Sequence, residues 1–296
     1  MAGSATALAK LALGASDPVD FGINFTSFDP GVKRTIHDAN GTRGTFWKDA
    51  NRMSTDRTIV APRLSSEPTA PELAKILEWA MGGTPTGSTT KTYVWSDTPL
   101  ARNLHFKPIA GEEWFLESVA VDQLTLSAQT GGGLSCELDG VGLTYESDRD
   151  DFPAITYDQT LQPFLLSQLV LTVGGVARKC RSFSLSIMGG IDRDRFLNSP
   201  TLTALQRLSA GFGVTFDVPS GDNGSQFWAS GLAGAALNAV FTNASGAALT
   251  IAIANMKWEA DSPVHAPGSE GFTTVSAQAL RVSTATPVTI TLSQGS

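Results

Sequence analysis

Apolar and polar residues alternate along several short segments of this chain, and this alternation most constrains the fold. Ser118–Ala128 and Arg181–Ile187 alternate cleanly, and Gly211–Pro219 does so more loosely. A period of two is typical of a β-strand with one buried face and one solvated face. Leu237–Met256 predicts two more strands around a turn at Asn243–Gly246, and the last strands are predicted in TTVSAQALRVS and PVTITLS. The chain is therefore predicted to be mainly β.

One segment predicts a helix instead. Thr69 is a suitable N-cap, Glu72 lies three residues later as a capping box requires, and Pro71 falls in the first turn. Gly82 is suited to a left-handed C-terminal end. An amphipathic helix of this kind can cover an open face of a β-sandwich or barrel. The residues expected to pack on the sheet are spaced as one helical stripe: Leu73, Ile76, Leu77, Ala80 and Met81.

The order of predicted elements is similar in the two halves of the chain. Phe115 lies 45 residues after the helix start near Ala70, and Phe272 lies 47 residues after Ser225, where a second short helix is expected. A hairpin is expected within KTYVWSDTPLARNLHF. We therefore expect tandem β-sandwich or barrel units, each flanked by a short α-helix. The expected divisions are an N-terminal arm at 1–20, a first unit at 21–150 and a second unit at 151–296.

The composition argues against several classes of protein. Charged residues are only 17%, the formal net charge is −7, and no basic run interleaved with aromatics suggests a nucleic-acid grip. No apolar stretch is long enough to span a bilayer, and the first residues lack the basic start of a secretory signal. Cys136 and Cys180 are expected to be buried free thiols, which fits synthesis in a reducing cytosol. The low charge suggests a surface covered by other subunits, although lectins and adhesins share it.

No motif with a specific chemistry is present. His37, His105 and His265 are far apart and lie in no metal-binding spacing, and the glycine-rich QTGGGLSCE lacks the Lys-Ser/Thr of a phosphate loop. We expect no cofactor, no metal and no catalytic residue. Two alternatives stay open: a soluble β-sandwich binding module (an adhesin or carbohydrate binder that uses Trp95 or Trp114), and an enzyme whose site is assembled from scattered residues.

Three segments follow one another in a characteristic order: RTIHDANGTRGTFWKDANRMSTDRTIVAPRLSSEPTAPELAKILEWAMGG, ESVAVDQLTLSAQTGGGLSCELDGVGL and CRSFSLSI. In their order and spacing they resemble tail tube proteins of long-tailed bacteriophages. The resemblance extends roughly from Lys33 to Leu292. One departure is that the region of the second helix is rich in glycine and lacks a Pro-Glu-Leu start.

The resemblance implies a structural subunit that stacks as rings around a channel for genome delivery. A chain with one unit would form a hexamer, and a chain with two would form a trimer of pseudo-sixfold shape. The repeat favours a ring of three chains here, with a ring of six as the alternative. The other implied partners are the tape measure, tail terminator and tail-tip proteins, with no membrane anchor. The protein would be made in the host cytoplasm and reside in the virion tail, and we favour a non-contractile tail.

The resemblance also suggests a location for the acidic residues of the predicted hairpins, namely the wall of the channel. DNA carries one negative charge per about 1.7 Å of axis, so an acidic or neutral wall would let it slide where a basic wall would hold it. On this reasoning Asp122, Glu137 and Asp139 are candidates for the channel wall. Gly83–Thr90 and the N-terminal arm are expected to meet the neighbouring ring.

Overall fold

The computed structural model describes residues 9–15, 19–38, 53–109, 111–155, 157, 162–219, 227, 234–260, 271–282 and 286–294. Almost all of its regular structure is strand, as predicted. Up to the middle of the chain the elements are β1 Lys10–Gly14, β2 Phe21–Gly22, β3 Ser27–Asp29, β4 Val32–Asp38, β5 Met53–Val60, β6 Arg63–Ser66, α1 Ala70–Met81, β7 Thr90–Val94, β8 Arg102–Lys107, β9 Glu113–Gln129, β10 Ser135–Val141 and β11 Thr144–Arg149.

The remaining elements follow a short 3-10 turn at Leu166–Gln168. They are β12 Leu169–Val173, β13 Val176–Arg178, β14 Ser182–Met188, β15 Gly211–Pro219, β16 Ala235–Thr242, β17 Ala248–Ala260, β18 Phe272–Ala279 and β19 Val288–Ser293. All the strand pairings are antiparallel, as expected for a sandwich in which each sheet has one solvated face.

The strands β1 to β11 form a two-layered unit, which we call the first motif. One layer has the order β2-β1-β8-β9-β11, and the other has the order β3-β6-β10-β9. Strand β9 therefore belongs to both layers, because its first half pairs with β8 and β11 and its second half pairs with β10. The β4–β5 hairpin forms a separate two-stranded sheet.

The strands β12 to β19 repeat this pattern as a second motif. One layer contains β13-β12-β16-β17-β19 and the other contains β14-β15-β18-β17, so β17 has the place of β9. The irregularities agree as well. Arg102 and Leu104 face Val119 and Leu116 across a β-bulge, and the same bulge separates Ala235 and Leu237 where they face Met256 and Ile253. The two motifs thus have the same strand pairings.

Two strand pairings join the motifs. The second half of β9 pairs with β14, from Gln123↔Met188 to Gln129↔Ser182, and β7 pairs with β19. The β9–β14 pairing makes one continuous sheet of order β3-β6-β10-β9-β14-β15-β18-β17, which we call the front sheet. The layers behind it pack against its apolar face, as Phe183 of β14 does against Phe241 of β16 at a centroid distance of 5.9 Å.

Helix α1 forms where the sequence predicts it. The backbone N–H and the hydroxyl of Thr69 both donate to Oε2 of Glu72, at 2.8 and 2.9 Å, and Gly82 ends the helix with φ of 78°. The other carboxylate oxygen of Glu72 accepts from the backbone N–H of Asn24 at 2.8 Å. The predicted packing residues are all buried: Leu73, Ile76, Leu77, Ala80 and Met81. The predicted second helix lies outside the described residues, except for Phe227.

Arg207, from the second motif, binds the C-terminal end of α1. Its guanidinium donates to the carbonyl of Ala80 at 2.7 Å and to those of Met81 and Ser96. It also stacks 3.8 Å from the ring centroid of Trp95. Burial lowers the pKa of this guanidinium to about 10, so the group remains charged at neutral pH. A cation is favourable here because the last carbonyls of a helix have no partner within the helix.

Two predictions about strand pairing are wrong. The segment KTYVWSDTPLARNLHF is not a hairpin, because β7 pairs with β19 while β8 pairs with β1 and β9. The spacing also predicts that Phe272 corresponds to Phe115, but Phe272 lies in β18 and Phe115 in β9. The strand pairings show that β18 corresponds to β10 and β17 to β9, so this prediction is off by one strand. The cause is that 35 residues separate Ser66 from Arg102 but only 15 separate Pro219 from Ala235. The extra residues of the first motif include β7.

Two further expectations concern the N-terminus and the cysteines. Lys10–Gly14 of the predicted arm is strand β1, which lies between β2 and β8 with its last four residues buried. Residues 1–8 lie outside the described part. Both cysteines are free thiols, as predicted; Cys136 is fully buried and Cys180 is half-buried. Burial raises the pKa of Cys136 to about 12 and that of Cys180 to about 11, so neither is a reactive thiolate.

Replacing Arg207 by alanine should destabilise the fold strongly. The change removes the Arg207 donor from the carbonyls of Ala80 and Ser96, while that of Met81 keeps the backbone N–H of Ser96 at 2.9 Å, and we expect it to lower the free energy of unfolding by about 2–4 kcal/mol. The matched control is Arg63→Ala, since the Arg63 side chain is exposed and its surface ion pair is worth at most about 1 kcal/mol. Urea unfolding followed by tryptophan fluorescence measures both. Equal losses for the two variants would contradict the capping role.

Candidate functional site

The outer face of the front sheet is almost entirely polar. Side chains at paired positions of an antiparallel sheet share a face, and Thr125 lies opposite Glu137 on one side and Ser186 on the other. The row of facing residues around Thr125 runs across the sheet as Ser65, Glu137, Thr125, Ser186, Gly213, Gln278 and Lys257. The next row is Ser127, Ser184, Thr215, Ser276 and Glu259. We call this surface the polar face.

The opposite face of the same sheet is the core. Residues that alternate with the polar positions are buried, among them Leu124, Leu126, Leu138, Leu185, Val214, Phe216 and Val275. The polar face therefore consists of the residues that alternate with the core residues along these strands. It is also concave near β6, β9 and β10, where a groove is lined by side chains such as Arg63, Gln123 and Glu137.

Small uncharged side chains dominate the polar face, and its few charges are mostly acidic. Along β6, β10, β9, β14, β15, β18 and β17 the carboxylates on this face are Glu137, Asp139, Asp217 and Glu259. The cations on these strands are Arg63 and Lys257. Arg63 forms an ion pair with Asp139 at 3.3 Å, and Arg181, just before β14, forms one with Asp217 at 3.2 Å. The face therefore lacks the density of cations that would hold a polyanion.

Of the three predicted wall residues, two lie on the polar face and one lies in a bulge beside it. Glu137 and Asp139 lie on the polar face of β10. Asp122 lies beside them in the bulge of β9, where β10 passes from Asp139 to Gly140. Its carboxylate accepts from the backbone N–H of Ile191 at 2.6 Å and from the Arg193 guanidinium, so it holds the segment after β14.

Sequence reasoning did not single out the serine and threonine positions that make up most of this face. Ser184, Ser186 and Thr215 belong to no chemical motif, and in the sequence each is only one of the polar residues that alternate with apolar ones along a predicted strand. The alternation was sufficient to assign them to a solvated face. What it could not show is that strands from both halves of the chain share one sheet, because that depends on the long-range β9–β14 pairing.

One cluster of potential metal ligands occurs among the described residues. Ligand atoms of His105, Glu113 and Asp151 lie within 4.8 Å of one another. Hydrogen bonds already engage these atoms, since Glu113 contacts His105 at 3.2 Å and forms an ion pair with Lys107, and Arg149 pairs with Asp151. We interpret the cluster as a link between β8, β9 and the segment after β11. The side chain of His37, and His265 altogether, lie outside the described residues.

No exposed aromatic platform occurs in the described parts of the chain. The large apolar side chains with high exposure there are all aliphatic. Trp95 lies against Arg207 and Phe212, and Trp114 stacks on Tyr145 at a centroid distance of 5.8 Å. Among the described residues, no helix has both the length and the apolar character needed to cross a membrane.

The comparison with known families agrees with this geometry. A family model described as phage tail tube protein matches residues 49–293, which include the helix and all but one strand of the front sheet. The chain belongs to the phage tail tube protein family. No curated protein matches this tube protein in sequence. A structural role in a tail tube therefore accounts for a chain whose main surface feature is a polar sheet face.

The stability of the tube protein should fall as the pH drops below about 6.5. Burial lowers the pKa of His105 below its ordinary value of about 6.5, against the opposing effect of Glu113 and Asp151. Between that lowered pKa and about 6.5 the unfolded chain binds a proton that the folded chain does not, so acid favours unfolding. His105→Gln should show a smaller loss of unfolding free energy between pH 7 and pH 5.5. Urea midpoints at both pH values test this, and identical losses in the two proteins would contradict it.

Proposed function

We propose that the protein is the ring-forming subunit of a phage tail tube, with three chains in each ring and the polar face towards the channel. The supporting observation is that the family member contains the same set of strand pairings twice. Three chains would then supply six motifs around the axis. We take the divisions as an N-terminal arm at 1–20, of which Lys10–Gly14 supplies strand β1 to the first motif, a first unit at 21–150 and a second at 151–296.

The polar face suits the wall of a channel through which DNA passes. Its serine and threonine side chains offer hydrogen bonds to water but no fixed positive charge, and Glu137 repels phosphates, while Asp139 is paired with Arg63. DNA would move past such a wall without the phosphate contacts that a basic surface forms. Asp122 would stand at the margin of this wall, where it holds the segment after β14.

The proposed partners follow from the tail. Further rings would stack above and below, with Gly83–Thr90 and the N-terminal arm as contacts, and tape measure, tail terminator and tail-tip proteins would meet the tube inside or at its ends. We place the protein in the virion tail after its synthesis in the host cytoplasm. The alternative of a carbohydrate-binding module lacks support, because the described surface presents no aromatic platform.

The tube proposal predicts that the purified protein assembles. Negative-stain electron microscopy at rising concentration, with tail-tip complex added as an initiator, should show hollow rings or tubes with a sixfold-looking end view. Mass measurement of single rings should give the mass of three chains. Rings with the mass of six chains would contradict the trimer, and particles that stay monomeric even with the tail-tip complex would overturn the tube.

A lysine placed on the polar face should make the channel retain DNA. Ser184→Lys lies near the middle of the front sheet, and the matched control Val170→Lys adds the same charge on β12, at a position already 59% exposed. Short duplex DNA mixed with Ser184→Lys tubes at low salt should become resistant to nuclease and be lost as salt rises. DNA bound to Val170→Lys tubes should stay digestible. The reverse result would show that the polar face lies on the outside.

A further inference from the structure

The layer behind the front sheet in each motif has an outer face, which is turned away from that sheet. The two outer faces can be compared residue by residue, because the bulges in β8 and β16 correspond. His105 of β8 therefore corresponds to Asn238 of β16, and Phe115 corresponds to Ala252. The first outer face has the row Gly22, Ala12, His105, Phe115 and Glu146, and the second outer face has the row Ala177, Thr172, Asn238, Ala252 and Thr289.

A segment of the chain covers the first outer face. After β11, residues 149–155 and 157 cross the strands of this layer, and we call them the strap. The ring of Phe152 lies 4.9 Å from that of His105, and the Phe152 N–H donates to Glu113 at 3.2 Å. The Tyr157 hydroxyl donates to a backbone carbonyl of β1 at 3.1 Å. Under the strap the side chain of His105 is only 1% exposed.

The second outer face is open to solvent in the described structure. Val170 is 59% exposed, and Asn238 and Ala252 are exposed as well, so no described segment covers them. A shallow depression lies over the same row, lined by Thr172, Asn238, Ala252 and Thr289 among others. The position that the strap occupies in the first motif is therefore unoccupied in the described part of the second.

The two outer faces also differ in charge. A further row of the first outer face consists of Lys10, Lys107, Glu113 and Arg149. Its counterpart in the second consists of Val170, Val240, Thr250 and Thr291. The strands β12, β16 and β19, and β17 as far as Ala254, contain no charged residue at all. Depletion of charged residues is typical of the core of a protein interface.

We propose that the second outer face binds a separate protein on the outside of the tail tube, with one copy on each chain. This inference rests on the proposed tube, because the second outer face points away from the axis when the polar face lines the channel. Neighbouring chains lie to either side and further rings lie above and below, which leaves this face to a protein outside the tube. The strap fills the equivalent place in the first motif, so a ring of three chains offers three sites.

The chemistry of the face defines the contact surface of the partner. Small and β-branched side chains such as Val240 and Ala252 form a sheet surface without charges. A charge buried against it would find no opposite charge, so the partner's contact surface is uncharged. In the first motif the side chains of Ile155 and Tyr157 lie so close over Gly22 that a Cβ there would meet them within 3 Å. We expect branched and aromatic side chains of this kind at the centre of the partner's surface.

Hydroxyl-radical footprinting read by mass spectrometry tests the site. It is applied to tubes assembled from the purified protein and to tails isolated from virions. We expect oxidation of Val170 and Val240 to be at least about threefold lower in the tails, because the core of a protein interface excludes water. The matched control is Ile109, which is 65% exposed on the first motif and should be oxidised equally in both samples.

A charge substitution links the protection to this face. Thr250→Lys places a cation in the uncharged row, and tails built from this variant should lose the protection of Val170, because the buried charge would have no partner. Ile109→Lys adds the same charge away from the face and should leave the protection unchanged. Electron microscopy of both variants checks that tubes still form.

The outcomes separate this inference from the tube itself. Equal oxidation of Val170 in tails and in assembled tubes would overturn the partner and leave the tube proposal standing. Protection already present in tubes of the purified protein would also overturn it, because copies of this chain would then cover the face. Absence of the protein from isolated tails would overturn both proposals.

Discussion

Strand β9 changes partners part-way along its length, and the first motif depends on this change. At Ser118 the chain takes a positive φ of 51°, a conformation that non-glycine residues seldom adopt. The Ser118 N–H donates to Oδ1 of Asn103 at 3.0 Å, and the Val119 carbonyl accepts from the indole of Trp79 at 2.8 Å. Side chains thus satisfy backbone groups where the ladder passes from one layer to the other. The two layers are tied together by one continuous strand.

Helix α1 has its place because of that transition. Its indole donor reaches β9 next to the strained residue, and its buried stripe belongs to the hydrophobic core that the two motifs share. The second motif has a similar hydrogen bond in which the shared strand supplies the donor: the indole of Trp258 on β17 donates to the carbonyl of Phe227 at 2.9 Å. In both motifs a tryptophan therefore links the shared strand to the segment that follows β6 or β15. The contact is equivalent in the two motifs, although the tryptophan lies on α1 in the first motif and on the shared strand β17 in the second.

The sequence predicted best those features that depend on near neighbours. The capping box at Thr69 and Glu72 and the glycine at position 82 set the helix ends, and alternation set β9, β14 and β15. The partner of β7 could not be predicted, because it lies about two hundred residues away on β19 and pairing leaves no local signal. Strand β1, KLALG, lacks the alternation of the other strands, so its pairing with β2 and β8 could not be predicted from the sequence. The bulge at Asp122 could not be predicted either, because it depends on the register between β9 and β10.

The two kinds of junction implied by a ring of this chain are not equal. Inside the chain, the motifs share the β9–β14 pairing, the β7–β19 pairing and the contacts of Arg207 with α1. Among the described residues no strand corresponds to β7 in the second motif, where 15 residues separate Pro219 from Ala235 and the first motif has 35 in the same place. A trimeric ring would therefore alternate two different kinds of junction. Joining two motifs in one chain fixes half of the junctions before assembly begins, which lowers the number of separate bodies that must lose translational freedom to close a ring.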